Sequence, residues 1–241
     1  MKNLKKIRLI YDNKFHKLLI NYTSHKLSKF KYYRKIILYK YFSKYQEYKL
    51  FHTFKLNENS IFIDIGANVG KVSQFIDDFY SCNIIAYEPH PTAFKILSRK
   101  LDGKKKVKLY NKAVSNKNSE KKLFFHKDDI DNGKTLAHAG SSSLELKKNT
   151  VSEKKYIITK TSNIDDILNN YTFIDCIKID IEGHEYQILP QLINKIDKIG
   201  RIVIEMHGND LNHANFINDY NKYLKIFKER MLLNKKIFLW T

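Results

Sequence analysis

Proline is nearly missing from this chain, at 3 of 241 residues, and glycine is scarce at 8. That poverty excludes collagen-like, mucin-like and low-complexity classes. Cysteine occurs twice, at Cys82 and Cys176, far apart and in no CxxC pair. A small disulfide-stapled secreted fold is excluded, and a reducing, cytoplasmic setting is the expectation. No stretch of about 18 uncharged apolar residues exists, so no spanning helix is expected. The N-terminus is basic, but charge interrupts its short apolar runs, and a secretory signal peptide is not expected. No internal repeat is visible. What the chain does have is core-forming material: 43% of its residues are apolar and 29% charged. A chain of this length supports one large domain, or one domain with an appendage.

The net charge of +19 is unevenly placed. Residues 1–55 hold 15 Lys/Arg against 2 Asp/Glu, whereas the other 186 residues hold 29 against 23. The same block carries eight of the sixteen tyrosines. Between Lys26 and Leu50, the residues Phe30, Tyr33, Ile37, Tyr41, Lys44 and Tyr48 recur at spacings of three and four. That period predicts an amphipathic helix with a lysine-rich outer face. Residues 1–55 are therefore read as a basic, tyrosine-rich helical arm, and residues 56–241 as the main domain. The plain reading of the arm is a helix packed on that domain by its aromatic face. The sharper reading is docking on an anionic membrane surface or an acidic partner. Nucleic acid ranks below both, because no recognition motif accompanies the basic residues.

The main domain begins near Ser60. Ile61–Ile65 is a short buried-strand pattern, followed at once by Gly66-Ala67-Asn68-Val69-Gly70. Lys71 to Phe79 has helical spacing. Asn83 to Tyr87 reads as a second strand, ended by Pro89, and a helix follows from about Thr92 to Leu101. Val107 to Asn111 is a third strand. Such alternation argues for right-handed βαβ units and a parallel sheet. The stretch 115–160 differs. Leu123-Phe124-Phe125 and Tyr156-Ile157-Ile158 are strand-like and enclose a long polar segment with Gly133, Gly140 and Ser141-Ser142-Ser143. This predicts a hairpin with a long loop, of the length used for lids and binding loops. His126 and His138 in that loop are expected to be solvent-exposed. Ser162 is placed to cap a short helix. Cys176 to Ile181 is a fourth parallel strand, Glu185 to Ile196 a helix, and Arg201 to Glu205 a fifth strand. A last helix is expected over Phe216–Met231 and a last strand over Lys236–Trp240.

In a doubly wound sheet, ligands sit outside the carboxyl ends of the strands. Every expected strand end carries a polar group: Asp64, Glu88, Asn111, Asp180 with Glu182, and Glu205 with His207. The Gly66-x-Asn68-x-Gly70 turn lets a ligand approach the backbone closely. It departs from GxGxxG and has no GK[ST], so neither a dinucleotide cradle nor a P-loop is supported. Asp64 suits a cationic amine better than a phosphate. Glu88, 18 residues beyond Gly70, stands where a strand-end acid accepts ribose hydroxyls. Together these features point to an adenosyl ligand with an amino-acid tail, S-adenosylmethionine.

Four segments carry a resemblance: Phe62-Ile63-Asp64-Ile65-Gly66-Ala67-Asn68-Val69-Gly70, Tyr87-Glu88-Pro89, Asn111-Lys112-Ala113-Val114-Ser115, and Lys178-Ile179-Asp180-Ile181-Glu182-Gly183-His184-Glu185. With Glu205 and His207 they resemble, over about 60–208, the FkbM family of S-adenosylmethionine-dependent methyltransferases. The resemblance implies an α/β, Rossmann-like class I methyltransferase fold with a doubly wound, mostly parallel sheet of seven strands. By the same resemblance, Asp64, Gly66, Ala67, Asn68 and Gly70 surround the methionine part of the cofactor and Glu88 binds the ribose. Asn111 and Ala113 lie near the adenine, and Asp180 lies beside the methyl donor. The chain departs from the family at both ends, in its basic arm and in having one clear strand after the last helix.

An acceptor hydroxyl needs at most a base or a metal to ease proton loss. His207, just beyond the fifth strand, is the first candidate base, and His184 the second, with Asp180 orienting either. Asp180, Glu182, Glu205 and His207 also make an oxygen-and-imidazole set compatible with Mg²⁺ or Mn²⁺. A divalent metal is not the favoured reading, because carboxylates at strand ends need not chelate, and no metal ligand is assigned. Glu185 is read as complementing the dipole of its helix, and Lys178 as snorkelling or pairing with a carboxylate.

The resemblance implies O-methylation of a hydroxyl on a sugar or related small molecule. The Lys-, Asn-, Ile- and Tyr-rich composition fits an AT-rich bacterial genome. An arm suited to an anionic surface then fits capsule or lipopolysaccharide glycan synthesis, with a cytoplasmic protein peripheral to the inner membrane face. Two other classes compete. One is an RNA methyltransferase, favoured by total charge and disfavoured by its uneven distribution. The other is a non-catalytic adapter that keeps the fold.

Overall fold

The computed structural model describes Phe51, residues 54–207 except 132, 135 and 137, positions 218, 219, 221–223, 225 and 226, and the backbone of 236–240. The chain divides into two compact units, Met1–Lys55 and Leu56–Thr241. The helix expected over Lys26–Leu50 lies outside the described residues, as does most of the one expected over Phe216–Met231. In the second unit the elements run β1 (Ile61–Ile65), α1 (Lys71–Tyr80), β2 (Asn83–Tyr87), α2 (Pro91–Lys100), β3 (Val107–Tyr110), β4 (Ala113–Ser115) and β5 (Ser119–His126). They continue as β6 (Val151–Asn163), α3 (Ile164–Asn169), β7 (Cys176–Ile179), α4 (Glu185–Asn194), β8 (Arg201–Glu205) and β9 (Lys236–Trp240).

Six strands form one sheet in the order β3-β2-β1-β7-β8-β9, every neighbouring pair parallel. Counted along the chain, this is the doubly wound Rossmann order, whose switch point falls between β1 and β7. The strands are runs of Ile, Val and Phe because a parallel sheet is covered on both faces. On one face Ile63, Ile65, Ile85, Ile177, Ile179, Ile202 and Ile204 pack with Ile164 and Leu168 of α3 and with Ile188, Leu189 and Leu192 of α4. The alternate residues Phe62, Ile84 and Cys176 are buried on the other face, where α1 meets β2. Asp64 and Lys178 belong to that second set and stand directly opposite each other in the β1–β7 register. The described sheet has six strands where the resemblance implied seven. After β8 the sequence supplies one strand segment, and it lies parallel to β8.

A second, three-stranded sheet has the order β4-β6-β5. The hairpin expected from Leu123 and Ile157 is there, with those two residues paired across antiparallel strands. It is longer than its apolar centres suggested, and β4 joins it by running parallel to β6. Residues 127–150 form the insert between β5 and β6. The helix cap is not Ser162, which lies within β6, but Asn163, whose Oδ1 accepts from the Asp165 N–H at 3.0 Å. An amide oxygen one residue later reaches the open N–H groups of α3 without leaving the strand pairing.

Candidate functional site

The loop from β1 into α1 is built on left-handed backbone. Gly66 (φ 82), Asn68 (φ 50) and Gly70 (φ 75) all take it. A Cβ on Gly66 would stand 1.8 Å from the backbone oxygen of Asp180, so the residue must be glycine to let the β1 and β7 ends converge. The N–H groups of Gly66 and Ala67 both donate to the Tyr87 carbonyl. The N–H of Asn68 donates to Glu88 Oε2 at 2.6 Å, and the N–H of His90 to Glu88 Oε1 at 2.7 Å. Glu88 is thus fixed at the end of β2 by two backbone donors. Burial pushes its carboxyl up to about 7, against the pull of those two hydrogen bonds.

Lys178 sits mid-strand in β7 and is buried. Its Nζ donates to the Gly66 carbonyl at 2.6 Å and lies 3.4 Å from Asp64 Oδ1 and 3.3 Å from Asp180 Oδ2. Burial alone would lower its pKa, but the two carboxylates raise it, so the ammonium keeps its charge. The other oxygen of Asp64 accepts from Ser73 Oγ of α1 at 2.6 Å.

Between these strand ends and the second sheet lies an open cleft. Gly66, Asn68, Glu88, Asp180 and Glu182 line one side, and Ala113, Val114 and Leu123 another. The insert supplies the remaining wall through Ala139, Gly140, Ser142 and Leu144. It is tied down at the β7–α4 turn by three side chains. Ser143 Oγ donates to the Glu182 carbonyl at 2.7 Å, Glu145 Oε1 meets His184 Nδ1 at 2.5 Å, and Lys148 pairs with the Glu182 carboxylate. Glu182 has φ 57, unusual for a side chain of its size.

Beyond the cleft, the ends of β7 and β8 gather charge. The register pairs Ile179 with Ile204, which puts Asp180 beside Glu205. Asp180, Glu205 and His207 each bring one ligating atom within 4.8 Å of the others. His207 Nδ1 lies 3.0 Å from Glu185 Oε1, and Nε2 lies 3.4 Å from Glu182 and 3.9 Å from Glu205. Burial opposes charge on the ring, but Glu185 and then Glu182 outweigh it and raise its pKa to about 9. Burial raises the carboxyl of Glu182, and burial with Asp180 nearby raises that of Glu205.

The sequence-derived residues therefore separate. Gly66, Asn68, Glu88, Ala113, Asp180 and His184 converge on the cleft. Asp64 does not face it; its fully buried carboxylate serves Ser73 and Lys178. Ala67 spends its N–H on Tyr87, and Gly70 ends the turn against Leu97 of α2. Asn111 lies outside the lining and donates to the Glu88 and Pro89 carbonyls. His184 has both ring nitrogens engaged, by Glu145 and by Ser115 Oγ at 2.9 Å, so neither is open to an acceptor proton. Glu185 and Glu182 favour the protonated form of the His207 ring, which speaks against it as a neutral base. His126 and His138 are not free in solvent; their rings stack at 4.3 Å. Glu185 does more than meet a helix dipole. Its carboxylate takes the N–H groups of Ile181 and Gly183 as well as the His207 ring. Of the three anchors of the insert, sequence reasoning noted Ser143 only as part of the Ser141-Ser142-Ser143 run, and it did not single out Glu145 or Lys148.

A family model described as the methyltransferase FkbM domain matches residues 64–231. Among solved structures, the chain is similar to the crystal structure of precorrin-6y C5,15-methyltransferase from Geobacter metallireducens GS-15. The identity is 14% and the TM-score 0.38, over 73% of this chain and 65% of that one, just under two thirds of its length. No curated protein matches the chain. The family match takes in the glycine turn, Glu88, the β7–α4 turn and His207 over well more than half the sequence, and the chain belongs to the FkbM methyltransferases.

Proposed function

We propose that the cleft binds S-adenosylmethionine and that the chain methylates a hydroxyl of a sugar or related small molecule. The observation that carries the cofactor reading is Glu88, a buried carboxylate held by Asn68 N and His90 N at the rim of a glycine turn. Its remaining lone pairs suit the two hydroxyls of a ribose. Gly66, Asn68 and Asp180 fit the amino-acid tail, and Ala113, Val114 and Leu123 give the apolar wall that an adenine needs.

When bound, S-adenosylmethionine supplies a methyl group already activated by the sulfonium charge. The chain's own work is then positioning, exclusion of water and removal of one proton. Among the titratable side chains lining the cleft, Glu88 is held by backbone N–H groups, Asp180 by Lys178, and His184 by two partners. Glu182 also lines the cleft, and although it is paired with Lys148, burial raises its carboxyl, which suits it to take up a proton. We assign it as the proton acceptor in place of His207 and His184. The insert walls one side of the cleft, which would limit the water around the transferring group.

The acceptor reading draws on the resemblance and on the sequence of residues 1–55. A basic, tyrosine-rich arm suits an anionic membrane face, where bacterial capsule and lipopolysaccharide glycans are assembled. No helix among the described residues is long and apolar enough to cross a membrane. The direct test is calorimetry with S-adenosylmethionine on wild type and Glu88→Ala. It is followed by tritiated methyl transfer to a panel of sugars and nucleotide sugars. Binding weakened in the variant supports the cofactor site. A folded wild-type chain that binds no S-adenosylmethionine sinks the reading and favours an adapter, while methyl transfer to RNA alone would replace the sugar.

A further inference from the structure

We propose that Asp180, Glu205 and His207 form a binding site for a hard divalent cation, Mg²⁺ or Mn²⁺, at the carboxyl ends of β7 and β8. The sequence set a metal aside because carboxylates at strand ends need not chelate. The parallel register makes these converge, with Ile179 opposite Ile204 and the next residues of each strand carrying the two carboxylates. One oxygen from each, with a ring nitrogen of His207, falls within 4.8 Å.

What separates this group from a patch of surface acids is the ring. Glu185 is fully buried and offers only acceptor oxygens, and its Oε1 lies 3.0 Å from His207 Nδ1. That contact puts a hydrogen on Nδ1 and aims Nε2 toward Glu182 and Glu205. A buried carboxylate behind the far nitrogen is the arrangement that orients metal-binding imidazoles and sets their tautomer. Glu185 is in turn fixed by the N–H groups of Ile181 and Gly183, so the ring is held by the β7–α4 turn itself.

Charge points the same way. Asp180 and Asp64 share the single ammonium of Lys178, and Glu182 pairs with Lys148. Lys178 also acts on Glu205, but burial and Asp180 outweigh it and keep that carboxyl raised. This is a concentration of negative charge within a chain of net charge +19. Two carboxylates suit Mg²⁺ and Mn²⁺, the imidazole favours Mn²⁺ of the two, and the lack of a thiolate removes the ligand that soft ions prefer. Asp180 also lines the cleft, so the ion's open positions border the place where an acceptor hydroxyl must arrive. The cation site itself does not depend on what the cleft holds.

The test uses the full chain, stripped with chelator and titrated with MnCl₂ while the electron paramagnetic resonance signal of free Mn²⁺ is followed, with MgCl₂ as competitor. We expect one saturable site per chain with Kd below about 1 mM. Asp180→Asn and Glu205→Gln should weaken it at least ~10-fold, and Glu185→Gln, acting through His207, by roughly 10- to 100-fold. Glu120→Gln, on the exposed part of β5, should change nothing. Circular dichroism checks that each variant is folded. No saturable binding by wild type, or equal binding by Asp180→Asn and Glu205→Gln, overturns the site. S-adenosylhomocysteine calorimetry on the same samples keeps the readings apart. Nucleoside binding without Mn²⁺ binding overturns the cation site alone, and Mn²⁺ binding without nucleoside binding supports it while removing the cofactor reading.

Discussion

Lys178 Nζ donates to the carbonyl oxygen of Gly66 at 2.6 Å, and this bond ties the middle of β7 to the glycine turn that follows β1. The same ammonium lies between Asp64 and Asp180, so one buried charge spans the topological switch point. Parallel strands bring Asp64 and Lys178 side by side, and the cation there compensates the fully buried carboxylate of Asp64 in the sheet.

Lys178→Met should therefore be costly in stability as well as in function. It leaves Asp64, which is fully buried, without its counter-charge. Breaking a buried pair on one side typically costs about 3–5 kcal/mol. Urea unfolding followed by circular dichroism should show a loss of that size. A loss under about 1 kcal/mol would mean that the ammonium does not hold these strand ends together.

The importance of Lys178 was only half visible in the sequence, and the reason is physical. Strand identity follows from apolar runs, so β1, β2, β7 and β8 were legible to within a residue or two. Strand ends border the cleft in this topology, which made the placement of Glu88 and Asp180 legible as well. Direction is another matter. Asp64 sits in the glycine motif, yet its position in the β1–β7 register turns it toward Ser73 and Lys178 and away from the cleft. The partners of the histidines come from distant segments: Glu145 from the insert, Ser115 from β4 and Glu185 from the turn of α4. No local period encodes such contacts. The insert was recognisable as a loop, but which of its side chains return to the β7–α4 turn is decided by tertiary packing.

Glu88 should make the chain sensitive to pH near neutrality. Its carboxyl is raised by burial from 4.5 to about 7. A carboxyl raised in the folded state adds stability below pH 4.5, and that contribution is lost as pH rises through 7. Its full size is about 3 kcal/mol. Relative to wild type, Glu88→Gln should thus gain stability as pH goes from 4.5 to 7, read as the difference between their thermal midpoints. Ligand binding runs the opposite way, because the ionised carboxylate accepts the ribose hydroxyls. S-adenosylhomocysteine affinity should fall by about tenfold from pH 8 to pH 6, and that slope should vanish in Glu88→Gln. A wild-type affinity that is flat over this range would place the ribose elsewhere.

Two glycines with similar backbone should respond very differently to alanine. Gly66 (φ 82) would push its Cβ to 1.8 Å from the Asp180 oxygen, whereas Gly103 (φ 70) meets nothing within 4 Å. Gly103→Ala should cost only the left-handed strain, about 1–2 kcal/mol. Gly66→Ala must also move the β7 end away from β1, and should yield insoluble chain or one that has lost nucleoside binding. Soluble expression and calorimetry distinguish the two, and equal behaviour would contradict the close approach.

Both cysteines should be silent in the native state. Burial pushes the Cys82 thiol up to about 12 and Cys176 well above its usual value. Thiolate is the reactive form, so a chromogenic disulfide reagent at pH 8 should modify neither until denaturant is added. Prompt reaction of one thiol before unfolding would show that β2 or β7 opens locally.

The insert offers the last test, because its anchors and the cleft share a wall. Glu145→Ala removes the contact with His184, a hydrogen bond of the charged class worth about 1.5–3 kcal/mol. Cleavage of a loop follows the population of its open form when opening is fast. Trypsin should then cut at the exposed Lys134 and Lys147 roughly tenfold faster in the variant. S-adenosylhomocysteine should slow the cut in both proteins, since Ala139, Gly140, Ser142 and Leu144 face the same cleft. Faster cutting in Glu145→Ala that the nucleoside fails to slow would separate the anchoring of the insert from occupancy of the cleft. Equal cutting rates without nucleoside would show that Ser143 and Lys148 hold the insert by themselves.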